Sequence, residues 1–380
     1  MKVSKMQWKE KTGWNTKQQD DSVKDADVIL CFGGRTVFEN MDKFDTLRKN
    51  NPKAEIVYSS TAGEIFDIDV FDNSVSVILM KFDHTPIKTV KRSIKNYKNS
   101  EEVGKAIIEE LNAPDLNHVF ILSDGQLVNG SDLLTGVRGI KNENTIVTGG
   151  LAGDGYQFDK ALVGLNGQPE EGDVVAIGYY GDRLKVGFGC RAGWDTMTTD
   201  RLVTKSEKNV LYEVDGQSAL SLYKNYLGDV ASELPGSALY YPLSLSSKSN
   251  QEKPVIRTIL GINEEDQSMT FAGNIPQGYN VKLMKHNPDR LISEAGLASQ
   301  RAISTFGSKK PDLALIISCV GRKIVLGQHV DEEVEEAKNI LGNDSIISGF
   351  YSYGEIGPKN NGVDCDLHNQ TIAITTYLEM

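Results

Sequence analysis

The sequence predicts an α/β protein with α+β mixing, organised as two domains whose mixed β-sheets are flanked by helices. Three observations carry that expectation. Short apolar runs alternate with amphipathic helical stretches, the pattern of strand–helix–strand units. Three such units end alike, on a glycine followed by a carboxylate: Ala62-Gly63-Glu64, Ala152-Gly153-Asp154 and Tyr353-Gly354-Glu355. Between the units lie strand-patterned stretches broken by Gly-Asp and Asn-Gly turns, which favour antiparallel pairing.

In the first unit, residues 27–32 are a short apolar run that suits a buried strand. Gly33-Gly34 turns the chain into Arg35, and Met41, Phe44 and Leu47 recur at helical spacing. Asn50, Asn51 and Pro52 end that helix, and the strand after it runs into Gly63-Glu64. The second unit repeats the plan over 118–155, with Ser131 or Asp132 as candidate helix cap. The third covers 312–356. Its helix carries acids in the first turn and Gly342 at its end, both favourable placements. Arg35 and Arg322 each follow a glycine and precede their own unit's carboxylate. The repetition points to duplicated architecture.

The remaining stretches, 73–82, 156–190 and 255–284, read as successive strands, and 216–228 and 288–306 as helices, the second opening on Pro288. A chain of 380 residues exceeds one ordinary core and suits two domains. The boundary is expected near 191–200, giving a polar segment at 1–25, one domain at 26–196 and a second at 197–380.

A net charge of −11 argues against nucleic-acid binding and a polybasic membrane anchor. The basic stretch at 87–98 reads as a solvated edge strand and linker. Apolar runs such as 313–318 are too short to span a bilayer. The polar first residues lack the apolar core of a signal peptide, and the four cysteines form no CxxC pair. A cytoplasmic, reduced protein is expected.

A carboxylate placed after glycine at a strand's carboxyl end suits ligand contact, because ligands of α/β folds gather there. Gly63, Gly153 and Gly354 allow close backbone approach. Glu64, Asp154 and Glu355 suit an ammonium group, while Arg35 or Arg322 suits a carboxylate. Together they would read a zwitterion such as an amino acid. The alternative is that each carboxylate caps a following turn and each arginine pairs inside its own unit. Tyr351 and Tyr353, two apart on a strand, are expected to face one side and wall a pocket. The histidines show no zinc-binding spacing. His286, between a strand and a helix start, is the candidate axial ligand if haem binds. No G-x-S-x-G elbow accompanies Ser59, Ser60, Ser123 or Ser318. The glycine-rich 149–155 lacks dinucleotide-loop spacing. Cys31 and Cys319 read as buried apolar thiols.

The stretches SSTAGEI (59–65), GGLAGDG (149–155), SCVGRKIVLG (318–327) and SGFYSYGEIGP (348–358) resemble signatures of the FIST proteins, a family of prokaryotic and eukaryotic sensory proteins. Residues 208–228 resemble the start of that family's carboxy-terminal domain, and 278–295 its middle. The resemblance runs from about residue 26 to residue 375. It implies an intracellular, non-enzymatic signal-input protein that binds a small ligand, amino acids among the candidates. It also implies a partner such as a histidine kinase or a cyclic-di-nucleotide enzyme. One branch of the family binds haem and senses nitric oxide, which is the alternative reading. A third reading, a hydrolase or lyase, would use Glu64 or Glu355 as general base and needs a raised pKa in a closed pocket.

Overall fold

A computed structural model describes residues 1–15, 23–139, 141–247, 254–359 and 364–380. The fold is mixed α/β, and each of the three strand–helix–strand units builds a six-stranded sheet of its own. In every unit the leading and returning strands are parallel: Val28–Gly34 with Glu55–Thr61, Leu116–Ser123 with Ile146–Leu151, and Leu313–Cys319 with Ile346–Ser352. A closing strand then runs antiparallel to each leading strand, namely Ser74–Lys81, Asp173–Tyr180 and Ile372–Glu379. Beyond it lies the strand that precedes the unit in the chain: Lys2–Lys9, Ile87–Ser93 and Leu184–Arg191.

The outer neighbour of each returning strand comes from a different unit. Glu64–Phe66, just after the first returning strand, pairs with the third unit's Ile346–Ser352. Val163–Leu165, after the second, pairs with the first unit's Glu55–Thr61. Gly354–Pro358, after the third, pairs with the second unit's Ile146–Leu151. The three sheets therefore exchange strands in a closed ring.

Side chains from all three sheets meet in one core, which includes Leu30, Phe32, Phe120, Leu122, Leu315, Ile317 and Phe350. The Phe32 and Phe350 rings stack there at 4.6 Å. Helices cover the outer faces. Ser100–Leu111 and Gly130–Arg138 pack over the second sheet, and Pro288–Ile303 and Val330–Leu341 over the third. The helix beginning at Gly130 is capped by Asn129, which accepts from the Asp132 N–H at 3.0 Å, rather than by Ser131 or Asp132. Asparagine satisfies the first-turn donors as well as either.

A nine-stranded layer is inserted between the strand Leu184–Arg191 and the helix Pro288–Ile303. It has its own core around Leu220, Tyr223, Met269 and Phe271. Hydrogen bonds that tie it to the ring include those of Arg257 Nη1 to the Leu367 carbonyl at 2.9 Å, Trp194 Nε1 to the Gln370 carbonyl at 2.9 Å, and Asn274 Nδ2 to Asp132 at 2.8 Å.

The strands of 156–190 form, but not as successive hairpins. Asp173–Tyr180 lies in the second sheet and Leu184–Arg191 in the third. The turn at Gly181 carries the chain across. The later strand packs closely on the helix Pro288–Ile303, where Gly187 and Gly189 press against the carbonyls of Ala302 and Ala298 and leave no room for a Cβ. Among the described residues no helix is long and apolar enough to cross a membrane.

Candidate functional site

A cavity of about 330 Å³ opens outside the carboxyl ends of the first unit's strands. Arg35, Glu64 and Asp154 all line it, with Asp72, Tyr156 and Gln157. The strand exchange explains this convergence. Arg35 follows the first leading strand, Glu64 opens the segment leaving for the third sheet, and Asp154 opens the segment arriving from the second.

Arg35 donates to Glu39 and to Gln157, each at 3.2 Å, while its Nε is buried without a partner among the described residues. Lys323 reaches the same place from the third unit. Its Nζ donates to the Ala62 carbonyl at 2.9 Å and pairs with Asp72. A Cβ on Gly63 would stand 2.6 Å from that Nζ, and Gly63 holds φ of +143°, so glycine is required there twice over. Nothing local in the sequence distinguishes Lys323 from its neighbour Arg322 as a cavity residue. Only the pairing of the segment after Gly63 with the third sheet brings Lys323 in.

Glu64 is buried and braced. Its carboxylate accepts from the Thr61 hydroxyl at 2.5 Å and from the Ser74 N–H and hydroxyl at 2.8 and 2.9 Å. Burial pushes its pKa up to about 7 even so. Glu355 repeats the brace in the third unit, accepting from the Ser352 hydroxyl at 2.6 Å and the Thr371 hydroxyl at 2.7 Å. Burial carries it up to about 8. In both units the carboxylate thus fastens the end of the returning strand to the start of the closing strand. Glu355 does not line the cavity near Arg35. Asp154 differs. It accepts from the Asp159 and Lys160 N–H groups at 3.1 and 2.8 Å and from the Tyr353 hydroxyl.

Arg322 is fully buried and engaged. Its Nε and Nη2 donate to Glu333 at 3.0 and 2.7 Å, and its remaining contacts are the Ala192 and Leu291 carbonyls. Glu333 also accepts from Ser318 and from the Tyr351 hydroxyl at 2.6 Å. Tyr351 therefore points into this ion-pair network, whereas Tyr353 stacks on Phe158 at 4.7 Å and reaches Asp154. The two tyrosines do not wall one pocket, because the second sits past the strand end, where the alternation stops. Gly153 and Gly354 serve packing: a Cβ would meet the Tyr353 ring at 2.8 Å and Leu367 at 2.9 Å.

His286 packs edge-on against the Tyr240 and Tyr241 rings, at 5.5 and 6.4 Å, and does not line this cavity. Among the described residues no cluster of His, Cys, Asp and Glu is arranged to hold a metal ion.

The fold and site define a mixed α/β protein in which repeated units surround strand-end cavities. The chain matches the FIST N domain over residues 27–217 and the FIST C domain over residues 219–358, so it belongs to the FIST family. FIST domains are associated with sensory signal transduction. The chain is also similar to the uncharacterized protein MJ1623 of Methanocaldococcus jannaschii, 27% identical over 344 residues. That match covers 83% of this chain and 62% of the relative.

Proposed function

We propose that this protein is a cytoplasmic signal-input module that binds a small zwitterion of amino-acid type in the cavity beside Arg35. The supporting observation is that Arg35, whose Nη1 and Nη2 donate to the exchangeable partners Glu39 and Gln157, lines one cavity of about 330 Å³ with Asp72, Glu64 and Asp154. A ligand carboxylate would take the Arg35 guanidinium, displacing Gln157 or Glu39. Its ammonium would face Asp72, the carboxylate here paired with Lys323. Glu64 and Asp154 shape the wall through bonds they already make. Because the cavity joins segments of the first two units, and Lys323 of the third pairs with Asp72 in its wall, an occupant would favour one arrangement of the ring, and a separate histidine kinase or cyclic-di-nucleotide enzyme would read it.

Thermal-shift measurements against each proteinogenic amino acid test this reading. At least one should raise the melting temperature at millimolar concentration, and Arg35→Ala should abolish that shift. A protein that responds to none of them is not an amino-acid sensor. The general-base reading finds partial support in the raised pKa of Glu64. Both its oxygens are already held by Thr61 and Ser74, however, which leaves it poorly placed to take a substrate's proton.

A further inference from the structure

The walls of the Arg35 cavity restrict the side chain of its ligand. Among the described residues that line it, only Ala62 and Tyr156 carry an apolar side chain. A ligand with a large apolar side chain would cover polar walls without pairing them, so it is disfavoured. Charge narrows the choice further. Among the described residues, four carboxylates stand in or on the cavity: Glu64, Asp72 and Asp154 in the wall, and Glu39 on the Arg35 guanidinium. Two cations answer them, Arg35 itself and Lys323, which pairs with Asp72. Burial pushes Glu64 up to about 7, so it is only partly charged near neutrality, yet the other three still outnumber the cations. A zwitterion with a neutral side chain adds no net charge and leaves that excess standing. A ligand with a second cation removes it.

One side chain is placed to receive that cation. Tyr156 lines the cavity and is nevertheless 54% exposed. Its ring stands 5.3 Å from the Lys323 ammonium, so it already lies where positive charge is held. Asp72, in the same wall, has a side chain 62% exposed. A ligand cation beside these two keeps much of its hydration, which avoids most of the penalty for burying a charge.

We propose that the cavity takes a basic amino acid, whose side chain ends in an ammonium or guanidinium group, and that Tyr156 selects it by offering its exposed ring to that group. This rests on the reading of the cavity as an amino-acid site and names the class of amino acid. With the α-carboxylate on Arg35 and the α-ammonium at Asp72, the side chain is left to run along the polar wall towards Tyr156. Acidic amino acids are disfavoured, because they add negative charge where carboxylates are already in excess.

Calorimetric titration of the full chain with arginine and lysine, and with their uncharged counterparts citrulline and norleucine, tests the proposal. Arginine and lysine should bind saturably at millimolar concentration, and each counterpart about fivefold more weakly or worse. Tyr156→Leu removes the aromatic face at an exposed position. It should cost the basic ligands about two- to fivefold in affinity and leave the neutral pair unchanged, whereas Tyr156→Phe should keep the preference. If citrulline and norleucine bind as tightly as arginine and lysine, or another amino acid binds and these do not, the proposal falls while the amino-acid reading stands. If no proteinogenic amino acid binds, both fall. An undiminished preference in Tyr156→Leu overturns the role of Tyr156.

Discussion

Glu355 and Glu64 act as fasteners whose strength depends on protonation. Folding lifts their pKa values from the usual 4.5 to about 8 and about 7, with burial as the cause in each. Between those limits the folded protein holds protons that the unfolded chain has released, so stability falls as pH rises through the window and levels off above it. Glu355→Gln keeps a neutral side chain of the same shape. It should match the unsubstituted protein near pH 5 and exceed it in alkaline buffer, by on the order of 3 kcal/mol. Urea titrations across pH check this, and a variant that loses stability most at high pH would contradict it. Arg322 poses the opposite case. Arg322→Met strands Glu333 in a fully buried network and should cost about 3–5 kcal/mol. Adding Glu333→Leu should return a large part of that loss, because no uncompensated charge then remains. If the double variant is as unstable as the single, packing rather than charge is what the pair supplies.

At the scale of elements, the three strand–helix–strand units were legible because their signal is local. Apolar runs such as 28–32 and 313–317, the acids opening the helix Val330–Leu341 and the glycine closing it are all written within a few residues. Which strands pair is not local. Glu64 meets Phe350 across almost the whole chain, and no pattern near either residue encodes the contact. The same limit hid part of the site. Arg35, Glu64 and Asp154 stood out as residue types at strand ends, and they do share a cavity. Glu333, the partner of Arg322, is one acid among several on an amphipathic helix, so its buried role could not be told from that of a solvated neighbour. Tyr353 misled for a similar reason, since strand alternation holds only while the strand lasts.

At the scale of the whole molecule, each returning strand is completed by another unit's segment, so none of the three sheets is whole without its neighbours. The expected outcome is a single cooperative unit. Under native conditions with added denaturant, amides of the three leading strands should converge on one opening free energy. A sheet whose amides exchange at clearly lower cost would show that the ring opens piecewise. The inserted layer has its own core and opens independently under this view, with amides such as those of Ser268–Phe271 free to exchange at lower cost. The ring also sets an order of events during synthesis. When the ribosome has made the first unit, Glu64–Phe66 can pair on one side with Asp69–Phe71, but its other edge has no strand to join until residue 352 has emerged. Throughout that interval the nascent chain carries an unpaired edge of buried-type residues, Glu64, Ile65 and Phe66. The growing chain is therefore a natural client for holding chaperones, and its vulnerable period ends only when the third returning strand arrives.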